Sequence, residues 1–157
     1  MAAPKYVLDT NIILALIRAN PLCEFINATY QLSQPQTRAM ICIVSHGEVW
    51  SLAKNNNWGQ KKCDSLANML ANVVTLDINR DSVIDAYVEM DIASLQHPPG
   101  AANIGKNDLW IAAVTKAAGT VLLTCDKDFS HLHPAHIQRE WIDPDRFKSS
   151  PETTKKT

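Results

Sequence analysis

The sequence predicts an α/β domain of three layers, with helices on both faces of a central, mostly parallel sheet. Three observations predict it. Short apolar runs alternate with helical stripes along the chain. One run, residues 39–44 (Ala-Met-Ile-Cys-Ile-Val), is apolar throughout, as suits a strand covered on both faces. Several carboxylates fall directly after predicted strand ends, where parallel sheets place their sites.

Residues 5–9 read as a strand that ends on Asp9, and residues 12–17 continue as a helix that Thr10 or Asn11 can cap. Residues 22–32 are helical, closed by the polar stretch 33–37. After the strand at 39–44, Ser45 opens the helix that carries Glu48. A polar link at 55–59 precedes a helical stripe of Cys63, Leu66, Ala67 and Leu70. Residues 73–78 read as a strand, and Val83, Ala86, Tyr87 and Met90 mark a helix running to about Leu95. Residues 97–105, with Pro98, Pro99 and Gly100, form a loop. Residues 107–118 make a helix that Gly119 ends, 121–124 a strand, and 137–142 the last strand.

The chain has 157 residues and a formal net charge of -1, so it carries no broad basic face for nucleic acid. A nuclease remains compatible, because a bound metal supplies local positive charge. The start lacks an apolar h-region and no run is long enough to cross a bilayer, so no signal peptide or membrane span is expected. Four scattered cysteines form no C-x-x-C pair and read as buried thiols of a cytoplasmic protein.

Four acids, Asp9, Glu48, Asp108 and Asp126, are each placed to reach one sheet edge. Acids crowded in one cleft repel unless a cation lies between them, which points to a divalent-metal site. Each also has a plain structural role open to it. Asp9 can start an Asx-turn. Glu48 can close a Ser45-x-x-Glu48 capping box. Asp108 suits a helix start on dipole grounds alone. Asp126 and Asp128 fit a turn, and Asp126 is preferred because it directly follows the strand. His131, His133 and His136 lie at zinc-like spacing, but no Cys or acid completes the set, so a polar loop fits better. Trp58, Trp110 and Trp141 offer faces for bases, though Trp110 and Trp141 are expected in the core. Lys106 can meet a phosphate or simply be solvated.

These segments together resemble a PIN-domain ribonuclease, most like the VapC-type toxins of bacterial toxin–antitoxin pairs. The carrying motifs are Val7-Leu8-Asp9-Thr10-Asn11, Ser45-His46-Gly47-Glu48-Val49, Asn107-Asp108-Leu109-Trp110-Ile111-Ala112-Ala113 and Thr124-Cys125-Asp126, with Phe129 closing the loop. Gly47 stands where many members carry Ala. The resemblance spans residues 6–129 and implies a PIN-like nuclease domain over 1–147; residues 148–157 are polar, lack large apolar side chains and are expected to form a flexible tail. It implies one or two Mg²⁺ or Mn²⁺ ions held by Asp9, Glu48, Asp108 and Asp126, which activate a water for in-line attack on an RNA phosphodiester. Glu48 then serves as ligand or water-orienting group. Thr10, Asn11 and Thr124 hydrogen-bond the carboxylates, and Lys106 and Asp128 stand near the substrate. A homodimer and a cognate antitoxin that covers the cleft with a basic side chain are implied too.

Two other readings compete. In a haloacid-dehalogenase-like phosphohydrolase Asp9 would be the nucleophile, but that family has a second acid where this chain has Asn11. A receiver-type module needs an acceptor Asp ending the third strand, and Asp77 falls inside the expected strand, while a non-catalytic PIN-like scaffold has no reason to keep all four acids together.

Overall fold

The computed structural model describes residues 3–98 and 103–148. Its first strand, β1 (Lys5–Leu8), runs directly into α1 (Thr10–Leu16), and α2 (Pro21–Tyr30) follows. Then come β2 (Arg38–Cys42), α3 (Ile43–Asn55), α4 (Gln60–Ala71) and β3 (Val74–Leu76). The chain continues through α5 (Asp81–Gln96), α6 (Lys106–Ala117), β4 (Val121–Thr124) and β5 (Gln138–Trp141). Short 3₁₀ turns cover Ser130–Leu132 and Pro144–Phe147. The expected tail, apart from Lys148, and residues 99–102 of the expected loop lie outside the described residues.

The five strands are ordered β3-β2-β1-β4-β5, and every pairing is parallel. Successive side chains along a strand point to opposite faces, so each central strand feeds two cores. Val7, Met40 and Leu122 pack under α5 and α6. Leu8, Ile41 and Leu123 pack under α1, α2, α4 and most of α3. That is the three-layer α/β/α arrangement the apolar runs foretold. The strand order reverses between β1 and β4, the switch point beside which parallel sheets place their sites, at the carboxyl ends of the strands.

Several boundaries differ from the sequence reading. The helix expected from residue 12 begins at Thr10, because Asp9 caps it and accepts from Thr10 N–H at 2.7 Å. The second apolar run does not stay a strand through Val44. It turns at Cys42, and α3 starts at Ile43. Ser45 therefore lies inside the helix, buried, and the capping box does not form. Two β-branched residues open a helix here because Val44 packs onto the α5–α6 core, which outweighs their modest helix propensity. The third strand stops at Leu76, so Asp77 falls just beyond it rather than within it, accepting from Ile78 N–H. Gly119 ends α6 at φ 59°, the left-handed position the sequence assigned to it.

Candidate metal-binding site

Asp9 is 3% exposed at the end of β1. Its Oδ1 accepts the Thr10 N–H, and its Oδ2 accepts Thr124 Oγ1 at 2.6 Å and Asn11 Nδ2 at 3.1 Å. Each carboxylate oxygen has about two lone-pair directions. Oδ2 is thus filled, and one direction on Oδ1 is left for a ligand. Asn11 also accepts the Cys125 N–H at 3.1 Å, so its amide joins β1 to the end of β4. Thr124 Oγ1 in turn accepts the Asp126 N–H at 2.9 Å. One hydroxyl thus orients two of the acids named from sequence.

Glu48 is half-buried on α3, and its Oε1 accepts Thr10 Oγ1 at 2.9 Å. This contact replaces the cap role that Ser45 offered in the sequence. Asp108 sits in the first turn of α6, directed back at the same edge as expected. Asp108, Asp126 and Asp128 each offer a carboxylate oxygen, and these oxygens all lie within 4.8 Å of one another. The sequence reading ranked Asp128 behind Asp126, since only Asp126 follows the strand. The turn in which Asp126 Oδ1 accepts the Asp128 N–H at 2.8 Å folds the second acid back beside the first.

The electrostatics match that crowding. Burial pushes the Asp108 carboxyl up to about 7, and repulsion from Asp9, Asp126, Glu48 and Asp128 adds to it. Burial likewise pushes Asp9 up to about 6, against the lowering effect of its bonds to Thr124 and Thr10. Asp128 is shifted upward too, first by burial and then by Asp126. A dication at the site would offset both the burial cost of ionising these carboxyls and their mutual repulsion. Its fit is geometric as well, since oxygens across a Mg²⁺ octahedron are about 4 Å apart. The donor set, all hard carboxylate oxygen, suits Mg²⁺ or Mn²⁺ over softer metals.

Other residues singled out from sequence go elsewhere. Lys106 Nζ bonds Asp91 Oδ1 at 2.8 Å. The histidines separate: His131 meets Ser94 Oγ at 2.7 Å, His133 meets the Ile137 carbonyl and Arg139 N–H, and His136 meets Glu89. No zinc cluster forms from them among the described residues. Trp110 stacks on Tyr87 against the core, as expected, whereas Trp141 packs into neither core cluster.

A parallel sheet whose switch point gathers five carboxylates defines an acid-lined, metal-type site on a doubly wound fold. The PIN domain family model matches residues 6–133, and the chain belongs to that family. The match spans the acids at 9, 48, 108, 126 and 128, and it displaces the phosphohydrolase and receiver readings. No curated protein matches the chain in sequence. Among solved structures, VapBC2 from Rickettsia felis, bound to a DNA fragment from its promoter, is similar with TM-score 0.72 and 21% identity. That alignment covers 87% of this chain and 97% of the other. VapBC-5 from Mycobacterium tuberculosis, of the VapBC family of toxin–antitoxin systems, gives TM-score 0.63 at 20% identity, covering 88% and 98%. Mycobacterium tuberculosis VapC20, a sarcin–ricin-loop-cleaving toxin, gives 0.58 at 20%, covering 82% and 95%.

Proposed function

We propose that this chain is a divalent-metal-dependent endoribonuclease acting in the cytoplasm as the toxin of a toxin–antitoxin pair. The observation that carries the reading is the convergence of Asp108, Asp126 and Asp128 within 4.8 Å, beside the buried Asp9. Asp108, Asp126 and Asp128 would hold the ion, with Asp9 contributing its remaining Oδ1 direction and Glu48 reaching it directly or through water. The ion supplies Lewis-acid activation of water and neutralises charge on the phosphodiester.

The protein's own groups do the positioning. Thr124 and Asn11 lock the Asp9 carboxylate, so its ligand direction is set before substrate arrives. Thr10 holds one oxygen of Glu48 and leaves the other to accept a proton from, and so aim, an attacking water. The toxin assignment draws on the fold shared with VapBC-5, a member of a toxin–antitoxin family, and with the loop-cleaving toxin VapC20. A cognate antitoxin that inserts a basic side chain among these acids would relieve the same repulsion as a metal.

A homodimer belongs to this reading. Ile84, Val88, Ile92 and Leu95 recur at helical spacing along α5 and stay 43–77% exposed. Such a stripe supports a second copy as its cover.

The direct test is cleavage of single-stranded RNA with Mn²⁺ by Asp9→Asn and Asp108→Asn. Both should lose roughly a hundredfold or more of the rate while circular dichroism stays native. Wild-type rates in both variants would remove the catalytic assignment.

A further inference from the structure

An acid-lined cleft repels the very phosphates it is to cut, so the substrate needs a cation and an apolar hold nearby. Two lysines adjoin the acids in sequence. Lys106 is engaged by Asp91. Lys127 lies between Asp126 and Asp128, is exposed, and has no carboxylate at ion-pair distance among the described residues. Its Nζ stands instead 5.0 Å from the centroid of the Trp141 ring.

Trp141 closes β5, and its Cα pairs with that of Thr124, the residue that orients Asp9 and Asp126. The indole is therefore rooted one strand spacing, about 4.8 Å, from the strand end that leads into the site. It is half-buried and joins neither core cluster. Its Nε1–H donates to the Cys125 carbonyl at 3.1 Å, which pins the ring and satisfies its one polar atom. What remains is a rigid, partly exposed π-face with a loosely held ammonium above it, at the rim of the acids.

We propose that Trp141 and Lys127 form a nucleotide-binding subsite beside the acidic site. A base flanking the scissile phosphate of single-stranded RNA stacks on the indole, and Lys127 swings from the ring to that nucleotide's phosphate. The proposal deepens the ribonuclease reading above and rests on it. Stacking accepts any base but requires one that can be splayed out, so the subsite selects unpaired RNA over duplex without reading sequence.

The test is steady-state cleavage, with Mn²⁺, of a fluorophore–quencher RNA of about twelve unpaired nucleotides. Trp141→Ala should raise KM roughly ten- to a hundredfold with kcat little changed, and Trp141→Phe should restore most of the wild-type KM. Lys127→Ala should raise KM and reduce the slope of log KM against log salt by about one. Lys127 is exposed and unpaired, so that variant decides the matter should Trp141→Ala melt below the assay temperature. Wild-type KM and salt slope in the folded variants overturn the subsite while leaving the nuclease reading standing. An equal rise in KM for Trp141→Ala and Trp141→Phe overturns base stacking and leaves the indole as a strut for the Cys125 carbonyl. Absence of cleavage by the wild-type chain itself sinks both.

Discussion

Asp9 shows how one residue serves local structure and site together. It follows β1, caps α1, and accepts from Thr124 of β4, so it cannot reorient without breaking bonds to two elements. Asp108 carries the sharper physical consequence. Burial and the neighbouring acids push its carboxyl up to about 7 from the ordinary 3.8, so the folded state holds the proton more tightly than the unfolded chain. The stabilisation is present in full below about pH 4 and is lost as pH rises through about 7. In EDTA, Asp108→Asn should therefore melt above wild type at about pH 8, with the gap closing toward about pH 4. Mn²⁺ should raise the wild-type melting temperature, most at the higher pH, and raise that of Asp108→Asn much less. A gap in EDTA that is independent of pH would contradict a raised folded-state pKa for Asp108.

At the scale of elements, α3 is the least regular piece by sequence. It opens on Ile43 and Val44, buries Ser45 without a partner for its Oγ among the described residues, and contains Gly47. A Cβ at Gly47 would meet nothing within 4 Å, and the position does not have positive φ. Gly47→Ala should thus stabilise the protein by about 0.5–1 kcal/mol, raising the melting temperature by about 1–4 °C, through the smaller entropy loss on folding. Helix α5 offers the opposite case. Its inner face, Val83, Ala86 and Met90, fills the core, while its outer face keeps a second apolar stripe.

At the scale of the whole molecule, the outer stripe of α5 bears on the proposed dimer. Leu95, 77% exposed, ends the α5 stripe, and Lys106 on the neighbouring helix ties back to α5 through Asp91. If a second copy covers the stripe, Val88→Asp combined with Ile92→Asp should convert the protein to monomer by sedimentation, since buried unpaired like charges at an interface are costly. Thermal unfolding of wild type should also depend on protein concentration. A wild-type chain that sediments as a monomer at all concentrations would refute the dimer. No helix among the described residues is long and apolar enough to cross a membrane.

The alternation of apolar runs with helical stripes sufficed for the layered α/β class, because strands buried on both faces leave uninterrupted apolar segments that little else explains. Acids just after strand ends nominated Asp9, Glu48 and Asp126, and an acid in the first turn of a helix added Asp108. What sequence could not mark was the start of α3, since residues 39–44 are equally apolar where the strand ends and where the helix begins. Nor could it show that Asp128, ranked behind Asp126, folds back beside it, or tell Lys127 from Lys106. Those distinctions depend on a turn that folds two residues back and on an ion pair to a helix far along the chain. Local pattern reports which face a residue prefers. Which carboxylates come within reach of one another, and which lysine is held in an ion pair, is decided by distances that exist after the strands have paired.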